Sequence, residues 1–275
     1  MKKMFAAALA LVVALGLAAC GKAPAAAAPA EGGISTVKPG VLTVVTAPDF
    51  APYEFYSLDE KGEARLAGLD MDLAQYIAEY LGLELDVIPM DFDGTILELQ
   101  NKKADLGMAC YSPDLDRKDV MEFSDIYMVD EQVFICLDDT AAQLADASAV
   151  NQAGLAIGVQ VGSIQSDLAK EYAPEADMIG MARVTDIVAD LVSGKLDGAF
   201  VEKMVAESYE KIYPELCVAF EVDYEDEGAV IGVTKGNTAL LEAVNKALAA
   251  ASADGSMETF AAKAVEQAYG TVNAQ

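Results

Sequence analysis

The chain has 275 residues, 53% of them hydrophobic, with 45 Asp and Glu against 18 Lys and Arg and a formal net charge of −27. So acidic a balance argues against a nucleic-acid partner and against a basic membrane-surface patch. The absence of histidine excludes a His-based metal site and a His-dependent triad.

Met1-Lys2-Lys3 followed by an apolar run over residues 6–19 reads as a secretory signal at residues 1–19, too short to span a bilayer as a helix. The run ends Leu17-Ala18-Ala19-Cys20, a pattern similar to a bacterial lipobox, so Cys20 is the expected lipidated first residue of the mature chain. Residues 20–38 are rich in Ala, Pro and Gly and read as a lipidated flexible tether. About 235 residues remain, enough for one large domain or two lobes. Beyond Cys20, Cys110, Cys136 and Cys217 are an odd number and form no disulfide framework; a Cys136–Cys217 bridge stays open.

Apolar runs predict strands at 41–46, 83–89, 105–110, 132–137, 155–159, 197–201, 217–222 and 229–233. Residues 47–56, fixed by two prolines and rich in aromatics, predict a loop, and 58–66 a turn. Helical spacing of apolar residues predicts helices over 68–81, stopping at Gly82, over 184–192, and over two segments after 240. Short helices are expected over 96–101 and after Gln160, where bare N–H groups at a helix start form an anion site. Alternating strands and helices predict an α/β fold with mainly parallel sheets. A weak internal echo pairs Leu99-to-Met108 with Leu191-to-Phe200 through a Lys-x-Asp step, placing Cys110 and Glu202 at matching strand ends in two halves. Arg117, one of three arginines, follows a predicted strand and a polar loop, where its planar fork suits a carboxylate.

The order of several short motifs resembles the extracytoplasmic solute-binding proteins (family 3 type) of polar amino-acid ABC transporters, over about residues 41–270. They are Ala51-Pro52-Tyr53-Glu54-Phe55, Gly68-Leu69-Asp70-Met71-Asp72-Leu73, Met90-Asp91-Phe92-Asp93-Gly94, Ser112-Pro113-Asp114-Leu115-Asp116-Arg117, Phe123-Ser124-Asp125-Ile126-Tyr127, Val159-Gln160-Val161-Gly162-Ser163 and Lys195-Leu196-Asp197-Gly198-Ala199. The resemblance implies a two-lobed periplasmic-binding-protein-like fold of type II. Lobe 1 would span 40–129 plus 225–275 and lobe 2 130–224, joined by two hinge strands near 127–131 and 223–228. It implies capture of an amino acid between the lobes, delivery to ABC permease subunits, no cofactor, and no enzymatic activity. Arg117 would clamp the ligand carboxylate with Ser112, Ser163 and Ile164 at hydroxyl or N–H positions, Glu202 would accept from the ammonium, and Phe50 and Phe92 would sandwich the side chain.

Three departures bear on specificity. Ala47 stands where members for basic amino acids carry Asp, Ala109 and Cys110 stand where a hydroxyl or Gly is common, and Ile164 replaces a usual Thr. Together they lean towards a neutral or polar ligand, although Asp49, Glu54 or Tyr111 could reach a polar side chain. The alternative reading is an enzyme of the cyclohexadienyl dehydratase type, with Glu202 as the proton-transfer acid.

Overall fold

The computed structural model describes residues 33–59, 61–114, 117–224 and 228–270. The signal, Cys20 and most of the tether expected from the sequence lie outside the described residues.

Two five-stranded sheets carry the fold. The first contains β1 (Val41–Thr46), β5 (Glu84–Pro89), β6 (Leu106–Tyr111), β7 (Met121–Phe123) and β13 (Val230–Thr234), in the order β5-β1-β6-β13-β7. The second contains β8 (Gln132–Leu137), β9 (Ala156–Gln160), β10 (Asp177–Met181), β11 (Gly198–Glu202) and β12 (Leu216–Glu221), in the order β10-β9-β11-β8-β12. Strands β6 and β11, the two that follow the Lys-x-Asp echo, hold the same third place in their sheets, each parallel to its inner neighbour. A third, three-stranded antiparallel sheet joins β2 (Asp49–Phe50), β3 (Glu54–Leu58) and β4 (Ala64–Ala67).

The sheets are mixed rather than mainly parallel. β1, β5 and β6 run parallel, as do β9, β10 and β11, but β13 is antiparallel to β6 and β7, and β8 is antiparallel to β11 and β12. The cause is the route of the chain. It leaves the first sheet after β7, builds the second, and returns as β13, so each entering strand arrives against the parallel run. The two crossings touch where Met128 and Ala229 pair antiparallel.

Strand β1 is an apolar run because both faces are covered, and five of its six residues are buried. Against the first sheet lie α1 (Leu69–Leu81), α7 (Thr238–Asp254) and α8 (Ser256–Gly270). In α1 the core face is Leu69, Leu73 and Ile77 with the small Ala74 and Ala78 between them. The helix stops at Gly82, which takes the left-handed conformation at φ 67° and donates to Glu79 O. On the second sheet, α5 (Val184–Val192) buries Val184, Ile187, Val188 and Leu191 at the same spacing. The short α3 (Ala147–Val150) precedes β9, and helices α4 (Ile164–Tyr172) and α6 (Lys203–Ile212) follow β9 and β11. Helix α2 (Phe92–Gln100) begins four residues before the expected start. Among the described residues no helix is long and apolar enough to cross a membrane.

Gly68 sets the entry of α1. Its φ is +117°, and a Cβ there would lie 2.2 Å from Tyr53 O and 2.9 Å from Pro52 O. That close approach allows Leu69 N to donate to Pro52 O and Asp70 N to Tyr53 O at 3.1 and 2.9 Å. Gly68→Ala is expected to cost about 2 kcal/mol through a strained φ and a displaced 52–53 loop, read as a lower urea midpoint with an unchanged m-value.

Candidate functional site

The carboxyl ends of β1, β6, β9 and β11 point at one another across the two sheets, the position at which α/β folds place ligands. Between them lies a cavity lined by Asp49, Phe50, Glu54, Phe92, Ala109, Cys110, Ser112, Arg117, Gln160, Ile164 and Gln165. Its volume is about 10 Å³, roughly the room one water needs. A second cavity of about 470 Å³ lies outside it, between Pro48, Phe55 and Met90 on one side and Arg183, Tyr209 and Tyr213 on the other, and shares Asp49 as a wall.

Six of the eight ligand-site residues read from the sequence line the inner cavity: Phe50, Phe92, Cys110, Ser112, Arg117 and Ile164. Ser163 and Glu202 are buried next to lining residues, Ser163 just before Ile164 and Glu202 against the Cys110 thiol. Arg117 is 7% exposed. Its Nη2 donates to Gly162 O at 2.9 Å, its Nη1 to Ser112 O at 3.5 Å, and its Nε lies 3.9 Å from Asp114 Oδ2. The guanidinium carbon sits 5.6 Å from the Phe92 ring centroid and 6.0 Å from that of Tyr111. Burial draws its pKa down, yet an arginine stays protonated in such a site. Gly162 immediately precedes Ser163, the N-cap of α4, whose Oγ accepts from Ser166 N at 3.4 Å and donates to Gln160 O at 2.9 Å. A buried cation and a helix N-terminus thus meet, from opposite sheets, at one end of the cavity.

Carboxylates crowd the remaining walls. Glu202 ends β11 and caps α6, 4% exposed, and the Cys110 Sγ lies 3.4 Å from each of its oxygens. Burial and the Glu202 charge push the Cys110 thiol well up, so it remains an S–H donor to that carboxylate. Cys110 sits at φ 47°, held there by its N–H, which donates to Asp70 Oδ2 at 3.3 Å. The other Asp70 oxygen accepts from Tyr127 OH at 2.7 Å, and burial raises Asp70 to about 6. Asp70 was not among the residues singled out by the sequence; the second residue of a helix is by default a solvated partner of the dipole. Gln160 and Gln165 were missed as well, since polar residues flanking a helix start carry no signal of their own.

Asp49 Oδ2 accepts from Val184 N at 2.6 Å and from Gln160 Nε2 at 3.2 Å, both on the second sheet's side. Burial raises its carboxyl to about 6. Glu54, paired with Phe50 across β2 and β3, is 1% exposed and is pushed well up by burial and then by the charge of Asp70. Cys136 and Cys217 face each other across β8 and β12 as free thiols.

The model of the bacterial extracellular solute-binding proteins, family 3, matches residues 42–267. The arginine-binding extracellular protein ArtP of Bacillus subtilis is 31% identical over 226 residues, 81% of this chain and 85% of that one. A cyclohexadienyl dehydratase of Pseudomonas aeruginosa is 29% identical over 178 residues, 65% of each chain. The structure of the amino acid ABC transporter substrate-binding protein AbpA from Streptococcus pneumoniae, bound to L-arginine, superposes with a TM-score of 0.80 at 28% identity, covering 84% of this chain and 96% of that one. The dehydratase likeness is shorter than that to ArtP, and the enzyme alternative gives way to solute binding. With two mixed-sheet lobes facing a polar cavity, the chain belongs to the bacterial extracellular solute-binding proteins, family 3.

Proposed function

We propose that this protein captures a polar amino acid between its two lobes outside the cytoplasm and delivers it to the permease subunits of an ABC importer. The observation that carries the reading is Arg117, a buried cation whose Nη2 reaches Gly162 O beside the N-cap of α4. A zwitterion entering a dry cleft needs both charges met. Arg117 and the α4 N-terminus serve the carboxylate, with Ser112 beside them. Glu202 serves the ammonium, with Cys110 and Asp70 fixing that corner. Phe50 and Phe92 flank the side chain. The lobes divide near residues 129 and 224, and ligand that touches both favours the closed state by its differential affinity for it. The names of ArtP and AbpA, an arginine-binding protein and an amino acid transporter component, support the ligand class.

The lipobox-like Leu17-Ala18-Ala19-Cys20 supports cleavage after residue 19 and a lipid anchor at Cys20, which would hold the protein at the membrane face beside its permease. Ala47 removes the counter-charge expected for a basic ligand, but the buried carboxylates of Asp49 and Glu54 share the cavity wall two and seven residues further on. A thermal-shift screen of the amino acids tests the reading. A ligand that binds only the native state raises the melting temperature with concentration. One or a few polar amino acids are expected to do so, and a flat response to all of them would overturn it.

A further inference from the structure

Once the two ends of a zwitterion are assigned, two carboxyl oxygens on the cavity wall are still without a partner, one on Asp49 and one on Glu54, whose carboxyl otherwise bonds to Asp70. Asp49 Oδ1 and Glu54 Oε2 are buried and have no hydrogen-bond partner among the described residues. Both residues line the inner cavity, on the hydrogen-bonded strands β2 and β3, and the Asp49 charge is felt at Glu54. A buried carboxylate oxygen without a donor costs free energy, and native proteins rarely leave one so unless something supplies the donor. Along this wall the cations are few. Arg117 stands at the far end with Ser112 and Gly162, and Arg183 is exposed, paired with Asp91 at 3.0 Å, and acts on Asp49 through its charge without a hydrogen bond to the free oxygen. The Asp49 oxygen that is bonded is saturated by Val184 N and Gln160, so only Oδ1 is available to a ligand.

We propose that Asp49, backed by Glu54, reads the side chain of the bound solute, and that this protein takes an amino acid carrying a second cationic, N–H-donating group. The inference rests on the zwitterion clamp of the preceding section. A guanidinium or ammonium at the end of a side chain supplies several donors at once and can satisfy both orphan oxygens. A neutral side chain leaves a buried carboxylate uncompensated. The acid at 49 thus does, from the neighbouring strand, what Ala47 cannot.

The test compares L-arginine with L-citrulline, its neutral isostere, by calorimetry on the intact protein. Arginine is expected to bind about tenfold or more tightly than citrulline, a ratio typical of a lost charge-assisted bond. In Asp49→Asn the ratio is expected to fall to within about threefold. Asp49 also bridges the lobes through Val184 and Gln160, and a purely structural role would weaken both ligands alike and leave the ratio intact. Wild-type protein that binds citrulline or another neutral amino acid at least as tightly as arginine and lysine overturns the inference, as does a folded Asp49→Asn that keeps the ratio. If that variant does not fold, Glu54→Gln and the wild-type ratio decide. Arg117→Ala separates the two levels. Loss of both ligands there supports the clamp whatever Asp49 does, and full affinity there overturns the clamp itself.

Discussion

Arg117→Ala is expected to weaken amino-acid binding by about 2–5 kcal/mol, or from about 30-fold to several thousand-fold, because it removes a buried charged partner and leaves a carboxylate facing apolar walls. The size follows from the surroundings. The guanidinium is almost wholly buried, lies against Phe92 and Tyr111, and already donates to Ser112 O and Gly162 O. Water cannot take its place at low cost. Arg117→Lys keeps the charge but loses the fork, so it is expected to fall between the wild type and the alanine variant. Titration calorimetry with whichever amino acid the thermal screen selects, together with a melt of the ligand-free variant, separates lost affinity from lost folding. Wild-type affinity in a folded alanine variant would remove Arg117 from the site.

The second large effect concerns pH. Asp49 and Asp70 are each raised from 3.8 to about 6, chiefly by burial, and burial also raises Glu54 well above its usual value. Between the unfolded and folded values the native state binds more protons than the unfolded chain. Stability of the ligand-free protein must therefore fall as pH rises through that window and level off above it. A shift of about two units corresponds to about 3 kcal/mol for one such group, less where the groups interact. The melting temperature is accordingly expected to be higher near pH 5 than near pH 7.5. Below about pH 4 the trend reverses, since carboxylates such as Asp59 and Asp254 are held below their usual values by hydrogen bonds. Self-repulsion of the net −27 charge acts in the same direction as the buried acids, so a variant is needed to isolate them. Asp70→Asn is isosteric, can accept from Cys110 N and donate to Tyr127 OH, and is expected to be more stable than wild type at pH 7.5 with a flatter profile. A wild-type melting temperature that climbs steadily from pH 5 to 8 would refute the assignment.

The parts of the fold that were legible are those with strong apolar patterning. Strands β1 and β8 and helices α1 and α5 bury continuous runs or clean helical faces, and their limits fall within one residue of expectation. Strand β10 was not legible because it is a sheet edge, with four of its five residues exposed and no alternation to read. The small β2-β3-β4 sheet hid in a loop of prolines and aromatics, and α6 hid because its cap is Glu202, a residue that reads as the end of a strand. Within the site, Arg117, Phe50, Phe92 and Ser112 were reached through the order of motifs. Asp70 was not, since only the packing of α1 against β6 and Tyr127 turns a helix-start acid into a buried one.

The return of the chain as β13 has a bearing on how this protein is made. The core beneath the first sheet joins Leu42, Val44 and Leu106 to Ile231, Val233, Leu240 and Val244. Residues near the amino end must wait for partners that are synthesised nearly two hundred positions later, whereas the strands of the second sheet, β8 to β12, are contiguous in sequence. In a polypeptide threaded outward from its amino end, the second lobe can condense first while the first lobe stays an incomplete sheet. The same topology that sets two halves face to face thereby leaves the core of the first lobe incomplete until the residues from Ile231 onward are available.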